Sequence, residues 1–74
     1  MKPELLVNFG NRVRNRRKQL GMSQEEFAAH ADVHRTYIGM IERAEKNITL
    51  RNIVKICKAL DISISKFFEG FDNE

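Results

Sequence analysis

The amino-acid sequence predicts an all-α domain that is built from five helices. The chain has 74 residues, which is the size of one small domain. Its apolar residues recur at the three- and four-residue spacing of amphipathic helices rather than in the alternation that is typical of strands. Glycines and polar capping residues interrupt this pattern at short intervals, so we expect several short helices.

The first two helices have clear start and stop signals. Pro3 suits the first turn of helix 1, and Gly21 is a natural stop after it. Ser23 and Glu26 have the spacing of a capping box, in which each side chain accepts a hydrogen bond from the other residue's backbone N–H. Helix 2 therefore begins at Ser23. Asp32 tolerates a left-handed conformation and is expected to begin a three-residue turn.

The remaining helices are shorter and are separated by polar residues. Thr49 is expected to cap helix 4, and either Ser63 or Ser65 to cap helix 5, which Gly70 ends. The expected helices are 3–20, 23–31, 35–44, 50–60 and 64–69. The apolar face of helix 4 is expected to comprise Leu50, Ile53, Val54, Cys57 and Leu60. The expected core comprises Phe9, Val13, Leu20, Phe27, Ala28, Val33, Ile38, Ile41, Ile53 and Cys57.

Composition narrows the class of protein. Cys57 is the only cysteine, so no internal disulfide can form, and a reducing, cytoplasmic location is expected. No apolar run approaches the ~20 residues of a membrane-spanning helix. A chain this short has little core from which to form an active-site pocket, so we expect a binding module without a cofactor rather than an enzyme. Residues 1–58 carry twelve basic and six acidic side chains, a balance that suits a polyanionic partner.

Helices 2 and 3 form a helix-turn-helix pattern at about residues 23–44. Two helices that cross at a steep angle need a small residue at the crossing point, which Ala28 supplies. Val33 in the turn can fill the space between them, and Ile38 and Ile41 can anchor helix 3 on the core. The polar residues of helix 3 then face outward.

Two segments, GMSQEEFA at residues 21–28 and YIGMIER at residues 37–43, carry a family resemblance. They resemble the lambda-repressor-like (Cro/CI, XRE) helix-turn-helix family of bacterial and phage regulators, over about residues 8–68. Within that family, RTYI at residues 35–38 and KNITL at residues 46–50 are similar to the controller proteins of restriction–modification systems. The resemblance implies five helices, with helix 3 in the major groove of a palindromic operator.

The outward side of helix 3 carries the residues expected to read bases. Arg35 can donate two hydrogen bonds to guanine O6 and N7, and Thr36 can bond a base edge or pack its methyl group on thymine. Met40, one turn on, is expected to face solvent, where a thymine methyl group is a suitable contact. Gly39 departs from the family, which commonly has a polar residue there. Close approach to the DNA backbone and tolerated drift both remain explanations.

Contacts to the DNA backbone are expected on both sides of helix 3. Gln24 lies at the N-terminus of helix 2, where unpaired N–H groups and the helix dipole favour an anion. Arg17 and Glu42 resemble the family's internal ion pair, which would fix helix 3 to helix 1 and present the arginine toward phosphate. The expected backbone contacts are Gln24, Tyr37, Arg43, Lys46, Asn47 and Arg17.

The C-terminal segment differs from the rest of the chain. Residues 59–74 carry one basic and four acidic side chains, so they are expected to point away from DNA. Their many apolar residues favour a subunit interface, within a dimerisation segment at about residues 60–71. A two-fold dimer places two recognition helices about one DNA turn (~34 Å) apart. The expected interface comprises Ile62, Ile64, Phe67 and Phe68; packing of Phe67 and Phe68 on the monomer core is the alternative.

The predicted function is that of a dimeric, sequence-specific transcriptional regulator, and the family resemblance favours the controller of a restriction–modification operon. The expected partners are double-stranded operator DNA, a second copy of the chain and RNA polymerase. The alternative is an antitoxin or phage-type repressor of the same fold that acts mainly through a protein partner. His30 and His34 have a spacing that can bind zinc on a helix, but a turn intervenes and no third ligand is evident, so no metal is expected.

Overall fold

The computed structural model describes residues 2–71, and within this range it contains five α-helices and no strand. Helix α1 spans Glu4–Gln19, α2 spans Gln24–Ala31, α3 spans Arg35–Glu42, α4 spans Leu50–Ala59 and α5 spans Ile64–Phe67. The all-α prediction is confirmed. Helices α3 and α5 each end two residues earlier than the sequence pattern predicts.

Local capping interactions define the starts of the helices as expected. The Ser23 hydroxyl accepts a hydrogen bond from the Glu26 backbone N–H (3.0 Å), and the Glu26 carboxylate accepts one from the Ser23 backbone N–H (2.9 Å). Asp32 ends α2 in the left-handed conformation, with φ of 56°. Thr49 caps α4, and Ser63 rather than Ser65 caps α5.

The helices pack around one apolar core. Helix α3 packs on α1 and α2, α2 also packs on α4, and α5 packs on α4. Within residues 2–71, no helix is both long enough and apolar enough to cross a membrane. Val33 and Ile53 are partly buried and pack against the core. The buried core residues are Phe9, Val13, Phe27, Ala28, Ala31, Ile38, Ile41, Ile56, Cys57, Leu60 and Phe67.

Two apolar residues that were expected to be buried are exposed. Leu20 is 38% exposed because α1 ends there, and Met22 packs against the core instead. Leu50 is 74% exposed as the first residue of α4. The buried side of α4 is centred on Ile56 and Cys57, so the apolar face is rotated away from Leu50 toward a residue that was not predicted.

Two arginines of α1 bind backbone carbonyl groups at the ends of other helices. Arg16 donates from Nε to the carbonyl of Leu60 (3.0 Å) at the end of α4. Arg12 donates from Nη1 to the carbonyl of Phe67 (2.8 Å) at the end of α5. The last carbonyls of a helix lack intrahelical partners and carry partial negative charge, so the guanidinium groups stabilise both ends. These contacts attach α4 and α5 to α1.

Candidate nucleic-acid interface

Helix α3 is buried on one side and open on the other. Ile38 and Ile41 are buried in the core, whereas Arg35 and Thr36 are exposed at the first turn. Met40 is half-buried, so it is less open to solvent than the sequence predicted. Arg35 and Thr36 therefore face outward from a helix whose opposite side is packed on the core.

His34 caps the N-terminus of α3. Its Nδ1 accepts a hydrogen bond from the backbone N–H of Thr36 (3.1 Å). An acceptor nitrogen carries no hydrogen, so this bond requires the tautomer with its hydrogen on Nε2. Histidine is not among the usual capping residues, so this role could not be predicted from the sequence. Within residues 2–71, no three His, Cys, Asp or Glu side chains are grouped to hold a metal ion.

A buried ion pair joins α3 to α1. Arg17 donates from Nε to Glu42 Oε2 (2.7 Å) and from Nη2 to Glu42 Oε1 (3.0 Å), and its Nη1 donates to the Met22 carbonyl (2.8 Å). The hydrogen bond to Glu42 raises the pKa of the Arg17 guanidinium above its ordinary value, so Arg17 stays charged. The bidentate geometry fixes the end of the recognition helix in orientation as well as position.

The burial of Arg17 bears on its expected phosphate contact. The residue is 8% exposed, and all three guanidinium nitrogens donate to groups of the protein itself. The guanidinium has five N–H groups, so these three bonds make Arg17 a structural residue and still leave one N–H on each terminal nitrogen. Its phosphate contact therefore stays a prediction. Gln24 joins the same network, because its Nε2 donates to Glu42 Oε1 (3.1 Å). This bond holds Gln24 in place at the start of α2.

Tyr37 is held by Asn52, a partner that the sequence pattern does not predict. The ring is partly buried and packs against the core, and the hydroxyl accepts a hydrogen bond from Asn52 Nδ2 (2.9 Å). Because the hydroxyl accepts from an amide, its own hydrogen can be donated to a further group. Asn52 lies on α4, and helical periodicity carries no signal for a contact between side chains of two separate helices.

The loop after α3 brings together several charges. Arg43 Nε lies 3.1 Å from Glu45 Oε1. Lys2 donates to the Arg43 carbonyl and lies 4.0 Å from Glu45 Oε2, so the start of the chain adds a cation that was not predicted. Lys46 is exposed, and the Asn47 side chain accepts from the next backbone N–H (3.0 Å). The loop therefore presents positive charge beside the recognition helix.

The segment predicted to form the dimer interface is largely packed on its own subunit. Phe67 is 4% exposed and contacts the Phe9 ring edge-on at 5.3 Å between centroids, so its assignment to an interface is wrong and the monomer-core alternative holds for it. Phe68 and Ile62 are half-buried and pack against the core. Ile64 is 43% exposed and remains open to a partner.

Comparison with known proteins agrees with this architecture. A helix-turn-helix family model matches residues 13–67 of the chain. The chain is 38% identical over 72 residues to the control protein C.MunI from Mycoplasma sp., covering 96% of this chain and 97% of that protein. It is 51% identical over 55 residues to the control protein C.BamHI from Bacillus amyloliquefaciens, covering 73% of this chain and 68% of that protein.

Solved structures give the same result. The restriction–modification controller protein C.AhdI from Aeromonas hydrophila is 43% identical, with a TM-score of 0.82 over 85% of this chain and 96% of that chain. The controller protein C.Esp1396I, solved as a tetramer with its natural 35-base-pair operator, is 33% identical, with a TM-score of 0.89 over 97% of this chain and 95% of that chain. The family resemblance seen in the sequence is thus confirmed. The chain belongs to the helix-turn-helix family and, within it, to the controller proteins of restriction–modification systems.

Proposed function

We propose that this protein is a sequence-specific regulator that binds the palindromic operator of a restriction–modification operon as a dimer. The observation that carries the proposal is the exposed first turn of α3, on a helix held from behind by the buried Arg17–Glu42 pair. The major groove of B-DNA admits an α-helix, and its base edges distinguish all four base pairs. A helix held rigidly in this way reads a sequence with little loss of freedom on binding.

The first turn of α3 supplies the base-reading residues of the proposal. Arg35 donates to guanine, Thr36 contacts a neighbouring base edge or a thymine methyl group, and Met40 contacts a methyl group one turn on. The His34 cap supports this arrangement because it binds the Thr36 backbone N–H, which keeps the start of α3 helical.

Four further residues hold the DNA backbone in the proposal. They come from three places: the start of α2, the first turn of α3 and the loop that follows α3. Tyr37 is suited to this role because the bond from Asn52 leaves its hydroxyl hydrogen available to a phosphate. Such contacts set the position of the protein on DNA but carry no sequence information. The proposed residues are Gln24, Tyr37, Lys46 and Asn47.

The dimer of the proposal is formed through the surface around Ile64, which keeps an exposed apolar side chain beyond the recognition unit. One relative is a tetramer on an operator of 35 base pairs, a length of about three DNA turns by the ~10.5 base pairs per turn of B-DNA. We propose that assembly on adjacent sites makes regulation depend on protein concentration. The proposed location is the cytoplasm, and the further partner at the promoter is RNA polymerase.

Selection of bound DNA from a random pool tests this function. The expected result is a palindromic motif whose half-sites are centred about 10–10.5 base pairs apart. A pool that shows no enrichment would overturn the proposal and favour a protein partner of the same fold. A motif without two-fold symmetry would retain DNA recognition and overturn the dimer.

A further inference from the structure

Gly39 lies in the middle of the outward face of the recognition helix. At about 100° per residue, positions 36, 39, 40 and 43 share one side of α3, opposite the buried Ile38 and Ile41. Gly39 faces away from the core, and yet it is buried. A side chain of the protein must therefore cover it.

The covering side chain is that of Arg43, one turn further along α3. A Cβ atom placed on Gly39 would lie 3.0 Å from Arg43 Nη1 and 3.6 Å from both Cζ and Nη2. The guanidinium thus lies at the place that a side chain of residue 39 would fill. Even a methyl group there would displace it, and the displacement is easy because the arginine end is flexible. The space left by the missing side chain at Gly39 is therefore filled by the Arg43 guanidinium.

Glu45 orients this guanidinium. Arg43 Nε lies 3.1 Å from Glu45 Oε1, and Lys2 lies near the other carboxylate oxygen of Glu45. Among residues 2–71, no hydrogen-bond acceptor contacts Nη1 or Nη2 of Arg43, whose side chain is half exposed. Two donor nitrogens therefore remain available on the face that also carries Thr36 and Met40.

We propose that Arg43 is a base-reading residue that uses the space left by Gly39 to recognise a guanine in the major groove. The inference rests on the proposed DNA-binding function and replaces the phosphate contact expected for Arg43. The guanidinium lies beside Gly39, on the side of α3 that carries Thr36 and Met40 and that enters the groove in the proposed complex. Its two terminal nitrogens match the O6 and N7 acceptors of guanine.

The test is base preference rather than affinity alone. Random-pool selection, followed by titration against each single-base substitution of the selected site, is performed on the wild type and on Arg43→Lys and Gly39→Ala. Arg43→Lys keeps the charge but removes the planar pair of donors. Gly39→Ala displaces the guanidinium and raises helix propensity, so a failure to fold is not the expected effect. Arg14→Lys, on an exposed part of α1, is the matched control.

Both variants should lose discrimination at one and the same guanine, distinct from the base read by Arg35, by about tenfold. The control should retain the wild-type motif. A uniform loss of affinity on every sequence, or an unchanged preference in both variants, would overturn the inference and return Arg43 to the phosphate backbone. Failure of the wild type itself to enrich any motif would instead overturn the proposed function.

Discussion

At the scale of single residues, exposed cations near α3 differ in what their position allows. Arg35 begins the recognition helix and points outward from its first turn. Lys46 lies in the loop beyond α3, and its ammonium is a point charge on a flexible stem. A base edge offers a directional pair of acceptors, whereas a phosphate only requires charge, so the two residues should contribute differently to specificity.

Arg35→Ala should lower the affinity for the selected operator by about 1–3 kcal/mol and remove the preference for one guanine in each half-site. Titrations on operator and random DNA measure this effect. Equal losses of affinity on the two DNAs would show that Arg35 holds phosphate instead.

Lys46→Ala should weaken binding to all sequences and reduce the slope of log K against log salt concentration by about one. Titrations on operator and random DNA at several salt concentrations measure this effect.

At the scale of helices, charge and hydrogen bonding at the ends decide where each helix begins and stops. The Ser23 backbone N–H and hydroxyl bind the Glu26 carboxylate and lower its pKa from the ordinary value of 4.5. A carboxyl group whose pKa is lower in the folded state than in the unfolded state stabilises the protein at pH values above its unfolded-state pKa. That contribution is lost as the pH falls through the folded-state pKa. The start of α2 is therefore a pH-sensitive part of the domain.

Glu26→Gln tests this sensitivity, because an amide can still complete the capping box but does not titrate. The wild type should have the higher melting temperature at neutral pH, and the difference should shrink below about pH 4.5. Thermal unfolding followed by circular dichroism between pH 7 and pH 3 measures it. Glu25→Gln removes a charge from the same turn without touching the box and is the control. A constant difference across this range would contradict the assignment.

Arg16 links α1 to the end of α4, and its contribution to stability can be separated from that of its charge. Arg16→Met should lower the free energy of unfolding by about 1–2 kcal/mol, because the carbonyls of Leu60 and Asp61 lose a charged donor. Arg14→Met removes an equal charge from an exposed position of α1 and should change it by less than about 0.5 kcal/mol. Urea denaturation compares the two, and equal effects would exclude a specific role for the Arg16 contacts.

At the scale of the whole molecule, the question is which apolar surface joins two copies. Phe67 is part of the monomer core, so truncating it to alanine should cost about 3–5 kcal/mol and unfold the domain rather than separate a dimer. Ile64 is the residue of the predicted interface that remains open to solvent. It can be changed without leaving a cavity in the core.

Ile64→Glu should therefore give a folded monomer. Operator affinity should fall, because two half-site readers are no longer joined and the second one loses its effective concentration, but the preferred bases should stay the same. Sedimentation equilibrium and DNA titration measure the two effects. Leu20→Glu, at a similarly exposed leucine near the end of α1, is the control. A variant that still sediments as a dimer would exclude the surface around Ile64.

The local parts of this protein are readable from the chain alone. The helix starts at Ser23 and Thr49, the left-handed Asp32 and the helix-turn-helix unit depend on residues within a few positions of one another. For α5 the sequence leaves Ser63 and Ser65 as alternatives, and the structure shows Ser63. Caps and turns have strong residue preferences for that reason. The exposure of Arg35 and Thr36 follows from the same helical spacing, because Ile38 and Ile41 define the opposite, buried side.

Tertiary packing alone decides the burial and the hydrogen-bond partners of several other side chains. Burial of Arg17, the core position of Phe67 and the carbonyl contacts of Arg16 each depend on groups far along the chain, which hydrophobic periodicity does not encode. Leu20 and Leu50 show the converse, since an apolar residue at a helix end stays exposed when no other helix reaches it. The contact between Arg43 and Gly39 depends on both sequence and packing. Helical spacing places the two residues one turn apart, but the ion pair with Glu45 in the packed loop is what positions the guanidinium beside Gly39.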